Sequence, residues 1–221
     1  LIHKIQMPYS RFSYLTSGRR KVNYGLVIFS RFPIVGSGTI SYPDTYNTTM
    51  YCDILIGTDT LRIFNNHLQS TRLKKTSKFL FSVTNQSESL KEILDISGRL
   101  RDAFKKRAIQ AVILKQEIRE SPYRVIVCGD FNDTPVSYTY HKISSGLKDA
   151  FLSNGKWLGK TYAGILPSFR IDYILTDATL QPVDFQRYRT RYSDHFPVAC
   201  NIIILPFRKE VFQDQHFPPT E

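Results

Sequence analysis

The chain has 221 residues and a mass of 25.6 kDa, enough for one large domain and short for two. With 42% hydrophobic and 22% charged residues it can bury a sizeable core, which excludes a disordered or low-complexity polypeptide. Lysine and arginine outnumber acids 30 to 19, and the resulting charge of +11 either favours polyanionic partners or serves solubility alone.

Short β-rich runs alternate with turn clusters in the first third: Tyr24–Phe29, Gly38–Tyr42, Met50–Ile56 and Leu61–Asn66, the last two joined by Gly57–Thr60. They predict an antiparallel meander. Between Leu73 and Glu120 the period changes: Leu90, Ile93, Leu94, Leu100, Phe104, Ala108, Ala111, Val112 and Ile118 recur at helical spacing. Gly98 is expected to divide this stretch into two helices. Arg99, Arg101, Lys105, Lys106 and Arg107 then read as the solvated face, with contact to nucleic acid as the second reading.

Ser121-Pro122 stops the helix, and Arg124–Cys128 reads as a fully buried strand. Further strands are expected near Leu147–Phe151, Ile171–Leu175, Pro182–Tyr188 and Val198–Leu205. The polar stretch after Pro206 reads as a loosely ordered tail, giving a domain at 1–205 and a tail at 206–221. Cys52, Cys128 and Cys200 each sit alone in apolar runs, so they read as small buried hydrophobes and not as a disulfide framework or zinc site. The longest apolar stretch is too short to cross a bilayer.

Four segments concentrate chemistry. Val125–Asp133 (VIVCGDFND) ends a strand in Gly-Asp-x-Asn, which delivers a carboxylate and a carboxamide, Asp130 and Asn132, to one rim of a sheet. Both residues could equally cap a turn. Leu61–Ser70 ends a second strand at Asn65, Asn66 and His67, and a lone histidine is more often structural. Asp172, flanked by apolar residues, needs a cationic or donor partner, for which a histidine or Arg170 would serve. In Ser193-Asp194-His195, the histidine has a charge tunable near neutral pH, Asp172 could set its tautomer, and Asp194 would be free for a metal.

Taken together and in this order, Asn-x-His, Gly-Asp-x-Asn, Arg-x-Asp-Tyr and Ser-Asp-His resemble the endonuclease/exonuclease/phosphatase superfamily. Tyr24–Ile34 (YGLVIFSRFPI) is similar to a strand and turn of the same group, so the likeness runs from about Val22 to Leu205. The resemblance implies an α+β fold in which two mainly antiparallel β-sheets pack face to face with helices on the outer faces, a four-layer sandwich. It implies a hydrolase of phosphodiester or phosphomonoester bonds that depends on Mg2+ or Mn2+.

By resemblance, His67, Asp130, Asn132, Asp172 and His195 are catalytic. Asn65, His67, Asn132 and Arg170 would contact the substrate phosphate, and Asp194, Asp130 and Asn132 would face the metal. Such chemistry suits a phosphoester: a hard cation and donor side chains offset charge that grows on the phosphate oxygens. Arg31 and Tyr24 are expected as fold-supporting or rim residues.

The pattern departs from the family at its start. The family's first strands, one of which ends in a Gln-Glu pair holding the principal metal ligand, have no counterpart before Val22, and Leu1–Lys21 contains no acid. This implies an N-terminally incomplete domain, weak or inactive by itself, with an exposed strand edge open to self-association or to a separate N-terminal piece. The substrate is left open among nucleic acid, phospholipid headgroup and inositol phosphate. The spelling is most similar to a bacterial group, some of whose members carry membrane-spanning helices upstream, so a membrane tether is a further expectation. The alternative is a catalytically lapsed module that binds nucleic acid or phospholipid with the same fold.

Overall fold

Alternation of apolar and polar positions drives the first part of the chain into strands. In this computed structural model, residues 6–14, 24–71, 86–155, 159–163 and 170–205 are described, with backbone alone for 86–92 and 154. β1 (Tyr9–Tyr14) pairs antiparallel with β2 (Gly25–Ser30). β3 (Ile34–Ser41), β4 (Thr48–Ile56) and β5 (Asp59–His67) follow as the expected meander. Gly57, at φ +64, takes the left-handed turn between β4 and β5 that a side chain would strain.

A single helix, α1 (Gln86–Arg119), then carries the chain to β6 (Arg124–Asp130). After it come α2 (Tyr138–Ser144), β7 (Leu147–Asp149), α3 (Ala150–Asn154), β8 (Asp172–Asp177), β9 (Leu180–Arg187) and β10 (Val198–Ile204). Six strands form the main sheet in the order β3-β4-β5-β6-β8-β7, and β1–β2 and β9–β10 form two separate pairs.

Both pairs lie on one face of the main sheet. Ile28 of β2 packs against Met50, Cys52 and Ile54, while Leu180 of β9 joins Leu61 and Ile126 with Ile202 and Ile204 alongside. The other face is covered by helices: Ala111, Leu114 and Ile118 of α1 and Ile143 of α2 meet Phe64, Val125, Val127, Tyr173 and Leu175. Removing such fully buried side chains from water contributes roughly 1.5–3 kcal/mol each. The α+β sandwich of strand layers with helices outside is therefore present.

Several local expectations are corrected. Tyr9–Tyr14, ahead of the first run expected to be a strand, forms β1. The long helix is not divided at Gly98, where an added Cβ would meet nothing within 4 Å; a solvent-facing glycine costs a helix only about 1 kcal/mol. The residues that α1 buries are Ala103, Arg107, Gln110, Ala111, Leu114, Lys115 and Ile118, whereas Ile93, Leu94, Phe104 and Val112 are exposed. Arg107 thus leaves the solvated face to which its neighbours belong. The strand expected over Leu147–Phe151 stops at Asp149, whose side chain accepts from Phe151 N and caps α3.

The three cysteines are free, with Cys52 fully buried. Among the described residues no helix is long and apolar enough to cross a membrane. The expected tail at 206–221 lies outside the described residues.

One pairing positions everything that follows. β5 and β6 are parallel, because α1 crosses over between them, so both strands end on the same edge of the sheet. There His67 is level with Asp130, and Asp130 is level with Asp172 on antiparallel β8.

Candidate active site

Gly129 is what lets β6 approach β5 closely enough to present Asp130. Its φ is +124, and a Cβ there would stand 2.2 Å from Asn66 O. The chain then turns through Asn132 at φ +52, a conformation asparagine tolerates better than most residues. Asn132 N donates to Asp130 Oδ1 at 2.7 Å and Asn132 Nδ2 to Asp130 Oδ2 at 2.9 Å. The second amide hydrogen goes to Leu68 O at 3.0 Å.

Across the same edge, Asp172 takes the Nδ1–H of His195, with its two oxygens at 3.1 and 2.9 Å. His195 Nε2 is thereby turned toward Asp130, 3.9 Å from its Oδ2. The three side chains are 16%, 17% and 29% exposed for Asp130, Asp172 and His195, open enough for a ligand to reach. His67 stands close by, near enough for its charge to be opposed by that of His195.

The electrostatics follow from this crowding. Burial first, and the neighbouring Asp172 second, push the Asp130 carboxyl up to about 7. The hydrogen bond to Asp172 raises His195, against the opposing effect of burial. Burial lowers His67, and His195 lowers it further. Two histidines at one edge therefore favour opposite charge states.

The remaining expected residues divide. The Asn65 amide donates to Val27 O at 3.1 Å, tying β5 to the second strand layer. Arg170, expected at the phosphate, is instead placed in the core. It is 4% exposed, its guanidinium donates to Asp149 at 2.6 Å, and it lies over the rings of Phe151, Tyr173 and Tyr140. Asn132 has both amide hydrogens committed, so its remaining oxygen suits a cation better than a phosphate oxygen. Asp194 is partly buried and raises His195, but it is outside the cluster formed by Asp130, Asp172 and His195.

Other residues at the site carried no local signal in the sequence. Thr161 Oγ1 accepts from both Ile171 N and Asp172 N, and fixes the start of β8. Tyr162 bridges to His195 and sets its ring edge-on at 5.3 Å. From the helix layer, Arg107 donates to Asp133 Oδ2 at 2.9 Å and to Gln69 O at 2.8 Å, while Gln110 Oε1 accepts from Gln69 N at 2.9 Å. α1 thus grips both loops that leave β5 and β6. Asn47, in the β3–β4 turn, reaches His67 itself.

Asp130, Asp172 and His195 offer ligand atoms within 4.8 Å of one another. A divalent cation fits this set in one respect that matters: Asp130 is a crowded carboxylate whose charge finds no guanidinium or ammonium partner among the described residues within ion-pair reach. Asp130 and Asn132 Oδ1 would hold it, both being hard oxygen ligands.

A two-layered strand sandwich carries this cluster at one end of its main sheet. The match to the Endonuclease/Exonuclease/phosphatase family covers residues 2–195, and the chain belongs to that family. Among solved structures, the human Nocturnin catalytic domain with a bound sulfate anion is similar at TM-score 0.62 and 18% identity, over 92% of this chain and 74% of that one. Zebrafish (D. rerio) TDP2 humanized by 14 mutations matches at TM-score 0.62 and 17% identity, over 88% and 76%. The Bacteroides thetaiotaomicron mannosyl-6-phosphatase Bt3783 matches at TM-score 0.57 and 18% identity, over 90% and 79%. Comparison with curated proteins gave no match.

Proposed function

We propose that this chain is the catalytic domain of a divalent-metal-dependent hydrolase that cleaves phosphoester bonds in a polyanion with stackable rings, a single-stranded nucleic acid in the first instance. The observation that supports catalysis over a lapsed binding module is the joint placement of His195, Asp172, Asp130, Asn132 and His67 at one edge. Binding alone gives no reason for a histidine to be oriented by one carboxylate and aimed at another.

In this reading Asp172 holds the Nδ1–H of His195, and the imidazolium that this bond favours gives its Nε2 proton to the oxygen leaving phosphorus. Asp130, as the carboxylate, takes the proton from an attacking water. A bound Mg2+ or Mn2+ would supply charge to the phosphate oxygens. His67 donates to a nonbridging oxygen. Asn132 holds Asp130 in place by two hydrogen bonds.

The substrate reading rests on the rim. Tyr14, Tyr24, Tyr46, Tyr138, Tyr188 and Tyr192 are each more than half exposed. Tyr46 precedes Asn47, and Tyr14 pairs with Gly25, two residues before the Val27 carbonyl that Asn65 holds. Tyr138 opens α2 after the Asp130 loop, and Tyr188 and Tyr192 flank the approach to His195. Arg189 and Arg191 are exposed between the last two. Polar-tipped rings interleaved with guanidinium groups suit bases and backbone phosphates, each stacked base contributing roughly 1–3 kcal/mol.

The test is hydrolysis by the full natural polypeptide with Mg2+ or Mn2+, across single-stranded and duplex oligonucleotides, phospholipid vesicles, inositol phosphates and sugar phosphates. Metal-dependent cleavage is expected, fastest on single strands, and lost in Asp130→Asn and His195→Ala. Full activity in both variants would reject the mechanism. Preference for vesicles or sugar phosphates would overturn the substrate assignment, and tight binding without cleavage would favour the lapsed module.

A further inference from the structure

His67 and His195 share an edge but not a kind of partner. His195 faces a carboxylate, Asp172. His67 faces a carboxamide: Asn47 Nδ2 lies 3.3 Å from His67 Nδ1. The difference decides where the single proton of a neutral imidazole sits, because a carboxylate can only accept whereas an amide nitrogen can only donate.

The orientation of the Asn47 amide is fixed by its other contacts. Nδ2 also donates to Leu68 O at 3.0 Å, and Oδ1 accepts from Thr45 Oγ1 at 2.7 Å. Turning the amide over would set Oδ1 against the Leu68 carbonyl oxygen and lose that bond, which decides the orientation, because the Thr45 hydroxyl can donate to Gln69 Oε1 at 2.8 Å and accept from an amide nitrogen instead. Thr45 is itself held, since Asn47 N donates to its hydroxyl at 3.1 Å. The Leu68 carbonyl is not free to move away, because Leu68 N donates to Asp130 O at 3.0 Å and Asn132 Nδ2 binds the same carbonyl.

From this network we infer that Asn47 is a positioning residue that locks His67 in the tautomer with its proton on Nε2, so that the ring presents a hydrogen-bond donor away from Asn47. The role given to that donor, a contact to a nonbridging phosphate oxygen, rests on the hydrolase reading above, but the tautomer does not. Burial and the nearby His195 act in the same direction, by disfavouring a second proton on the ring. The site then holds two imidazoles of complementary design: His195 can gain and release a proton, and His67 remains a fixed neutral donor.

Long-range nitrogen–proton correlation spectra of the chain labelled at histidine, recorded without metal at about pH 7.5, read the tautomer directly. The expected result is a protonated Nε2 and an unprotonated Nδ1 for His67. In Asn47→Asp a carboxylate oxygen replaces the donor, and the two ring nitrogen resonances should exchange places or both become protonated. Asn47→Ala, which removes the partner without reversing it, should leave a mixture. The His195 resonances serve as the internal control for an intact site and should keep their Nδ1–H pattern throughout. A wild-type His67 carrying its proton on Nδ1 overturns the inference whatever the variants do. A His67 pattern unchanged in a folded Asn47→Asp does so too. Because the readout needs no turnover, its outcome is separate from success or failure of the hydrolysis assay.

Discussion

Arg107 reaches out of α1 to place Nε 2.9 Å from Asp133 Oδ2, with both side chains almost completely buried. Asp133 follows Asn132 directly, and Asp133 Oδ1 also caps the next residue by accepting from Thr134 N at 3.0 Å. The ion pair therefore anchors the catalytic loop to the helix layer.

Loss of one partner should leave a buried charge exposed to nothing. Arg107→Met is expected to destabilise the chain by roughly 3–5 kcal/mol, and Arg107→Met with Asp133→Asn to recover part of that loss. Urea unfolding of the three proteins measures both. An Arg107→Met protein within about 1 kcal/mol of wild type would remove the anchoring role.

Asp172 acts through His195, so the two should not behave independently. Asp172→Asn and His195→Ala are each expected to lower turnover by roughly 100- to 10,000-fold, and the double variant by little more than the worse single one. Multiplicative losses in the double variant would show that the carboxylate contributes elsewhere.

Asp130 makes the stability of the metal-free chain depend on pH. Its carboxyl titrates near 3.8 when unfolded and is pushed up to about 7 by burial and Asp172 when folded. Between those values the folded state binds the extra proton, so its contribution is fully present below about pH 4 and is lost as pH rises through about 7. The loss should amount to a few kcal/mol, about 2 to 4. Comparing wild type with Asp130→Asn across this window isolates it from the histidines. A wild-type minus variant difference that stays flat from about pH 4 to 7.5 would contradict the crowded carboxylate.

A divalent cation should reverse that penalty. Mn2+ at 100 times its dissociation constant is expected to stabilise the wild-type chain by about 2.7 kcal/mol and Asp130→Asn far less. Thermal unfolding against Mn2+ concentration gives both values. Equal stabilisation of the two proteins would put the cation elsewhere.

The residues that do chemistry were legible because they end strands. Gly-Asp-x-Asn and Asn-x-His occupy the ends of β6 and β5, where an apolar run breaks off into polar residues within one or two positions. The β-meander was legible for the same reason. What stayed hidden depends on tertiary neighbours. Arg170 and Asp172 sit two apart, a spacing that strand alternation would put on one face, yet one turns into a core of rings and the other toward the site, because Arg170 lies just before β8 and outside its pleat. Arg107 stands in a run of cations, and nothing in its neighbours' spelling says that it alone faces Asp133. Asn47 lies in a turn of ordinary composition, and its meeting with His67 exists only because Thr48 and His67 are opposite each other across β4 and β5. The phase of α1 was misread because its buried face contains an arginine, a glutamine and a lysine.

The parallel contact of β5 with β6 also has a kinetic meaning. The chain leaves the main sheet at His67 and returns only at Arg124, with all of α1 in the excursion. Closing so long a loop carries an entropic cost before any strand contact repays it, whereas the β3–β4–β5 hairpins and the helix can form locally. Refolding from denaturant should thus regain helical signal before the two halves of the catalytic edge meet, and the catalytic edge should be the late-assembling seam of the molecule.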